Sequence, residues 1–128
     1  MRRPWTLFAC LAFAACGPTS RFHDYSTPER AAQCFVEAGR IGDLASVRRS
    51  VVAAERDQEL ECDYRELGTY KLVRDRELDR DHVVVVLQSG TVGSPLACVR
   101  EADGWKVTIH GSLALLRQML AAQPPAPR

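Results

Sequence analysis

The chain opens on an apolar block. From Trp5 to Ala15 only Thr6 interrupts a run of apolar and small residues, and Met1-Arg2-Arg3 in front of it is basic. A basic start followed by about eleven apolar residues has the layout of a secretory signal peptide, and it falls short of the ~20 residues that a helix needs to span a bilayer. Gly17 to Tyr25 has no apolar periodicity and holds Gly17, Pro18 and Ser20, the composition of a flexible spacer. Helical spacing begins after Ser26. Ser26-Thr27-Pro28-Glu29 supplies a cap hydroxyl, a first-turn proline and an acid able to reach back, and Ala31, Cys34, Phe35 and Ala38 follow at i, i+3, i+4 and i+7. Gly39 and Gly42 close this helix. Asp43 caps a second, with Leu44, Val47, Val51 and Ala54 inward and Arg48, Arg49 and Glu55 outward. Leu60, Tyr64 and Leu67 predict a third over residues 58–67, stopped at Gly68.

From Thr69 onward the period becomes two. Residues 69–77 and 82–88 read as strands around a polar turn at Asp79-Arg80, the second carrying the β-branched run Val83 to Val86. A loop over 89–94, a strand over 95–101 and the hairpin signal Asp103-Gly104 come next. Trp105, Val107 and Ile109 then alternate with Lys106, Thr108 and His110 in a last strand. Residues 112–122 form a terminal helix with Leu113, Leu116 and Leu120 in line, ended by Pro124. The order predicts an α+β domain: N-terminal helices packed on a curved four-stranded antiparallel sheet, with a short C-terminal helix. Because Val83 to Val86 faces both ways, the second sheet face must be partly covered, by the terminal helix or by another chain.

Composition narrows the class. The 128 residues are 46% apolar and 26% charged, with 17 basic and 16 acidic groups and a net charge of +1, as expected for one small domain. Only Lys71 and Lys106 are lysines, so no concentrated cationic surface for nucleic acid is expected. Without Arg2 and Arg3 the balance is 15 minus 16, or −1.

Phe13-Ala14-Ala15-Cys16 followed by Gly17 resembles a bacterial lipobox, in which small residues precede a cysteine that becomes the acylated first residue. The resemblance implies lipidation at Cys16, a signal peptide over 1–15, a lipidated tether over 16–25, a domain over 26–122 and a tail over 123–128. The partner is then a membrane, reached through the lipid anchor, and several acyl chains hold stably where one holds marginally. Gly17 in place of Asp implies the outer membrane, facing the periplasm. The other reading of these residues is an ordinary signal cleaved near Ala15, with Cys16 left as a thiol.

Ser26-Thr27-Pro28-Glu29, Phe35, Gly42-Asp43-Leu44 and Asp103-Gly104-Trp105-Lys106-Val107 together resemble small exported domains of the NTF2-like superfamily, most of all the DUF4878-type lipoproteins, over residues 27 to about 110. The implied fold is a cystatin-like, cone-shaped sheet wrapped on its helices. Its interior would place Asp63, Tyr64 and Trp105 near the mouth of a pocket. The leading function is a non-enzymatic interaction domain that meets an envelope protein or a second copy of itself. The alternative is a small-molecule-binding or isomerase-like enzyme working inside the cone.

Little else points to chemistry. With Cys10 in the signal and Cys16 acylated, Cys34, Cys62 and Cys98 remain in an oxidising compartment, where three pairings are open. Cys34 lies on the apolar stripe of the first helix, so Cys62 with Cys98 is the favoured disulfide. No two cysteines stand at metal-ligand spacing, and no cofactor is expected. Arg74 to His82 alternates acids with arginines, a pattern of solvated cross-strand ion pairs. His23, His82 and His110 belong to no catalytic arrangement.

Overall fold

The computed structural model describes residues 17–58 and 63–123. The signal segment, Cys16, Cys62 and residues 124–128 lie outside the described residues. Helix α1, Pro28–Ile41, is capped by Thr27, whose hydroxyl accepts the Arg30 N–H at 3.1 Å, and Pro28 sits where no N–H is required. Ala31, Cys34, Phe35 and Ala38 are all buried, as their spacing predicts. Glu29 does not reach back to the cap; it turns to Arg74, 2.8 Å away across the helix–sheet junction. Gly42 ends the helix at φ 74°, and the following Asp43 N–H returns to Ala38 O at 2.9 Å. Gly42→Ala is therefore expected to cost about 1 kcal/mol in urea unfolding, the strain of a Cβ in the left-handed region.

Helix α2 is only Leu44–Arg49. Its predicted run to Ala54 breaks because the next residues join the sheet. Ser50 O accepts the Val107 N–H at 2.8 Å and Val52 N–H donates to Val107 O at 3.1 Å, bonds a continuing helix would have used internally. A single 3-10 turn, Ala53–Glu55, follows. The helix expected over 58–67 is not seen in its described part either. Asp63 to Leu67 is a turn closed by Leu67 N–H on Tyr64 O at 3.0 Å.

The sheet is an antiparallel meander, β1-β2-β3-β4, built from Lys71–Asp79, His82–Ser89, Val92–Glu101 and Gly104–Thr108. Strand β1 forms an edge, and its alternating charges and two register shifts, at Arg74/Arg76 and Glu77/Asp79, blunt it against pairing with another chain. The loop expected over 89–94 shrinks to Gly90-Thr91, with Gly90 at φ 62°. Helix α1 packs on the face that carries Val83, Val85, Leu87, Leu96, Cys98 and Val107, and these close the core with Phe35, Val36 and Val47.

Strand β4 stops at Thr108, two residues before the alternation does, because Thr108 caps the next helix by accepting the Gly111 N–H at 3.1 Å. That helix, α3, spans Ile109–Ala122 and packs against β3, where Ala97 N–H donates to Ser112 Oγ at 2.9 Å. None of its residues is buried. The segment expected as a flexible spacer is instead fastened from Ser20 onward. Ser20 N–H donates to Asp43 Oδ2 at 2.7 Å, Asp24 N–H to Cys34 Sγ at 3.2 Å, and Tyr25 O accepts the Trp105 N–H at 2.8 Å.

Candidate functional site

A cleft of about 260 Å³ opens between α1, the turn at Asp63–Tyr64, the start of β3 and the inner side of α3. Its walls are Phe35, Leu96, Ile109, Leu113 and Leu116, and Ser94 and Ser112 bring hydroxyls to its edge. Phe35 and Tyr64 meet edge to face, with centroids 6.0 Å apart, so the tyrosine ring forms part of the apolar wall. Two of the three residues expected at a pocket mouth, Asp63 and Tyr64, thus line it. The third does not. Trp105 is buried in the core, its backbone tied to Tyr25 and its ring under the Arg100 guanidinium at 5.0 Å from the centroid.

Asp63 is exposed and doubly held by Arg65, whose Nε and Nη2 each lie 3.0 Å from a carboxylate oxygen. These bonds, joined by one from the Arg65 backbone N–H, lower its pKa to about 2. Arg65→Ala should raise the titration toward the ordinary 3.8 but short of it, because the backbone N–H of residue 65 stays, as read by the side-chain carbon shift in NMR. A midpoint left near 2 would contradict the arginine as its cause.

Two other carboxylates are buried, and both serve helix starts. Asp43 caps α2, accepting from Ser46 N–H at 3.2 Å and Ser46 Oγ at 2.5 Å besides Ser20 N–H. Burial opposes its ionisation, but the serine hydrogen bonds outweigh burial and keep its carboxyl below the usual range. Asp43→Ala is expected to cost about 1–2 kcal/mol in urea unfolding, the range for a lost cap. Glu55 is 7% exposed and reaches the start of α3, where it takes the Thr108 hydroxyl at 2.6 Å and the Ile109 N–H at 2.7 Å. The pattern of polar positions had placed it on an outer face.

The least expected residue is Lys106, 2% exposed although it alternates with the core residues Trp105 and Val107. Its Nζ donates to Arg49 O at 3.1 Å, stands 4.0 Å from the centroid of the Tyr25 ring and lies 3.4 Å from Asp103. No one-dimensional signal marks it, since its partners come from three separated segments.

Among the described residues Cys34 and Cys98 are buried free thiols, and Cys62, the expected disulfide partner of Cys98, lies outside the described residues. Burial raises both pKa values, that of Cys98 to about 12, so neither forms a thiolate nucleophile near neutral pH. In the folded protein, maleimide should leave tryptic peptides 31–40 and 81–100 unlabelled while denaturant exposes both, as counted by mass spectrometry. The run from Arg74 to His82 is a set of exposed pairs, among them Arg74–Glu77 at 2.8 Å and His82–Asp79 at 2.7 Å. Among the described residues no cluster of His, Cys, Asp and Glu could hold a metal ion, and no helix is long and apolar enough to cross a membrane. No family model matches the chain, and neither a curated protein nor a solved structure matches it.

Proposed function

We propose that the chain is an exported lipoprotein of the bacterial envelope, acylated on Cys16 and held at the outer membrane facing the periplasm, whose NTF2-like domain binds a partner without transforming it. The curved sheet and its helices then serve as a cone-like scaffold for the cleft. The observation that carries the binding reading is the make-up of that cleft: apolar walls from Phe35, Leu96, Ile109, Leu113 and Leu116, and at its rim an aspartate tied to Arg65. A general acid or base for work near neutral pH needs a carboxyl raised toward 6–7. Asp63 is shifted the opposite way, and the buried carboxylates Asp43 and Glu55 are engaged in hydrogen bonds at helix starts. This favours a binder over the isomerase-like alternative.

Two measurements test the two halves. Mass spectrometry of the membrane-extracted chain should find acyl mass on Cys16, and a bare thiol there would overturn the anchoring. A fluorescent apolar dye, anilinonaphthalene sulfonate, should bind the wild-type cleft and lose that binding in Ser94→Trp, which fills it from β3. Equal dye binding by both proteins would remove the cleft from the reading.

A further inference from the structure

We infer that the flank of the domain beyond β4, formed by residues 17–23 and the exposed side of α2, rests on an anionic phospholipid bilayer. Both segments run into the β4 edge, where Tyr25 O takes the Trp105 N–H and Ser50 O the Val107 N–H, and β1 is the opposite edge of the sheet. The chain itself limits where lipid can be. Ser20 is 5% exposed and donates its N–H to Asp43, and Gly17, Pro18 and Thr19 line a groove of about 300 Å³ together with His23, Ala45 and Arg49. Cys16 is bonded directly to Gly17, so its Cα stands about 3.8 Å from that of a groove residue. Even fully extended, the four residues from Cys16 to Ser20 reach at most ~14 Å, against a domain on the order of 30 Å across. An acyl group on Cys16 therefore holds this flank, and not the β1 edge, next to the membrane.

The chemistry of the flank matches anionic headgroups. Arg21, His23, Arg48 and Arg49 are all exposed, and residues 17–23 and 44–52 contain no acid. Most described arginines pair with an acid, but among the described residues Arg21, Arg48 and Arg49 have no such partner. The carboxylate at the groove, Asp43, is 8% exposed and held by Ser20 and Ser46, and Asp24, the next acid along the N-terminal segment, is bound to Arg30. Phe22 and Leu44, 40% and 45% exposed, add two apolar side chains that can enter the acyl boundary while the guanidinium groups stay with the phosphates. Each arginine near an anionic surface favours the contact about fivefold, three of them about a hundredfold, and the anchor keeps lipid at high local concentration. A second copy suits the flank less well, because it would bring these unpaired cations together.

The inference rests on the acylation of Cys16 proposed above. The test uses the membrane-extracted full chain with vesicles of phosphatidylcholine alone, or of phosphatidylcholine with phosphatidylglycerol. Sedimentation reports the anchor, and the rate at which phenylglyoxal modifies each arginine, read by mass spectrometry, reports the face. The chain should sediment with both vesicles. Arg21, Arg48 and Arg49 should be modified about tenfold more slowly on the anionic vesicles than on the neutral ones, while Arg76 of β1 and Arg80 of the β1–β2 turn react equally on both. Arg48→Gln combined with Arg49→Gln should restore fast modification of Arg21 without releasing the chain from the vesicles. Sedimentation with unchanged rates, or with slowing shared equally by Arg76 and Arg80, would overturn the docking of this flank and leave the anchor standing. A chain that sediments with neither vesicle would overturn both. Slowing that needs no vesicles and grows with protein concentration would assign the flank to a second copy and overturn the inference.

Discussion

Lys106→Ala is expected to destabilise the domain by about 3–4 kcal/mol in urea unfolding, at the upper end for a single substitution. Three losses add. The four-carbon stem leaves a cavity in a site only 2% exposed. The Arg49 carbonyl loses its 3.1 Å donor, and the Tyr25 ring loses the ammonium 4.0 Å from its centroid. Lys106→Met separates these contributions. It keeps most of the volume, and because Asp103 is exposed it leaves no buried charge unpaired, so the cost should fall to about 1–2 kcal/mol, the carbonyl's share. Equal losses for alanine and methionine would mean that the charge, not the packing, holds the site. Since Lys106 touches Tyr25, both variants should also speed amide exchange over residues 20–25, which a purely local cavity would not do.

Glu55→Ala should cost about 2–3 kcal/mol and act at a distance in sequence, loosening α3. The carboxylate occupies the position where the first N–H groups of α3 have no partner within the helix, and where the helix dipole favours an anion. Its removal strips the Ile109 N–H of a 2.7 Å bond and the Thr108 hydroxyl of a 2.6 Å bond, in a partly buried place where water replaces them poorly. Exchange should rise across 109–122 before global unfolding, while β1 and β2 keep their protection. Glu55→Gln retains one acceptor and should lose about 1 kcal/mol. If α3 kept its protection in Glu55→Ala, its packing on β3 alone would be holding it.

Much of the fold is legible in one dimension, and the reason is periodicity. The stripe Ala31, Cys34, Phe35 and Ala38 is buried as spaced, Asp103-Gly104 turns the last hairpin, and the four strands follow in meander order. The failures share a cause. Val51 has helical spacing from Leu44 and Val47, yet it pairs with Val107, because an open strand edge offered its neighbours hydrogen bonds that the helix could only equal. Tyr64 and Leu67 suggested a helix and belong to a turn, their apolar surface being satisfied by the cleft and the core. The candidate site divides similarly. The resemblance puts Asp63 and Tyr64 at a pocket mouth and both line the cleft, whereas the spacing of Leu113 and Leu116 marks only a helix stripe and Trp105 lies in the core.

By itself the sequence determined what local rules control: the helix caps at Thr27 and Asp43, the αL stop at Gly42, the turn at Gly104, and which positions are apolar. The tertiary structure decided where unlike segments meet. Lys106 became interior because Arg49 O and the Tyr25 ring arrive there from elsewhere, and Glu55 became a cap because α3 begins beside it. Ser20 to Tyr25 became part of the domain because Asp43, Cys34 and Trp105 hold its backbone. A polar group's place depends on partners supplied across the chain, and periodicity carries no record of them.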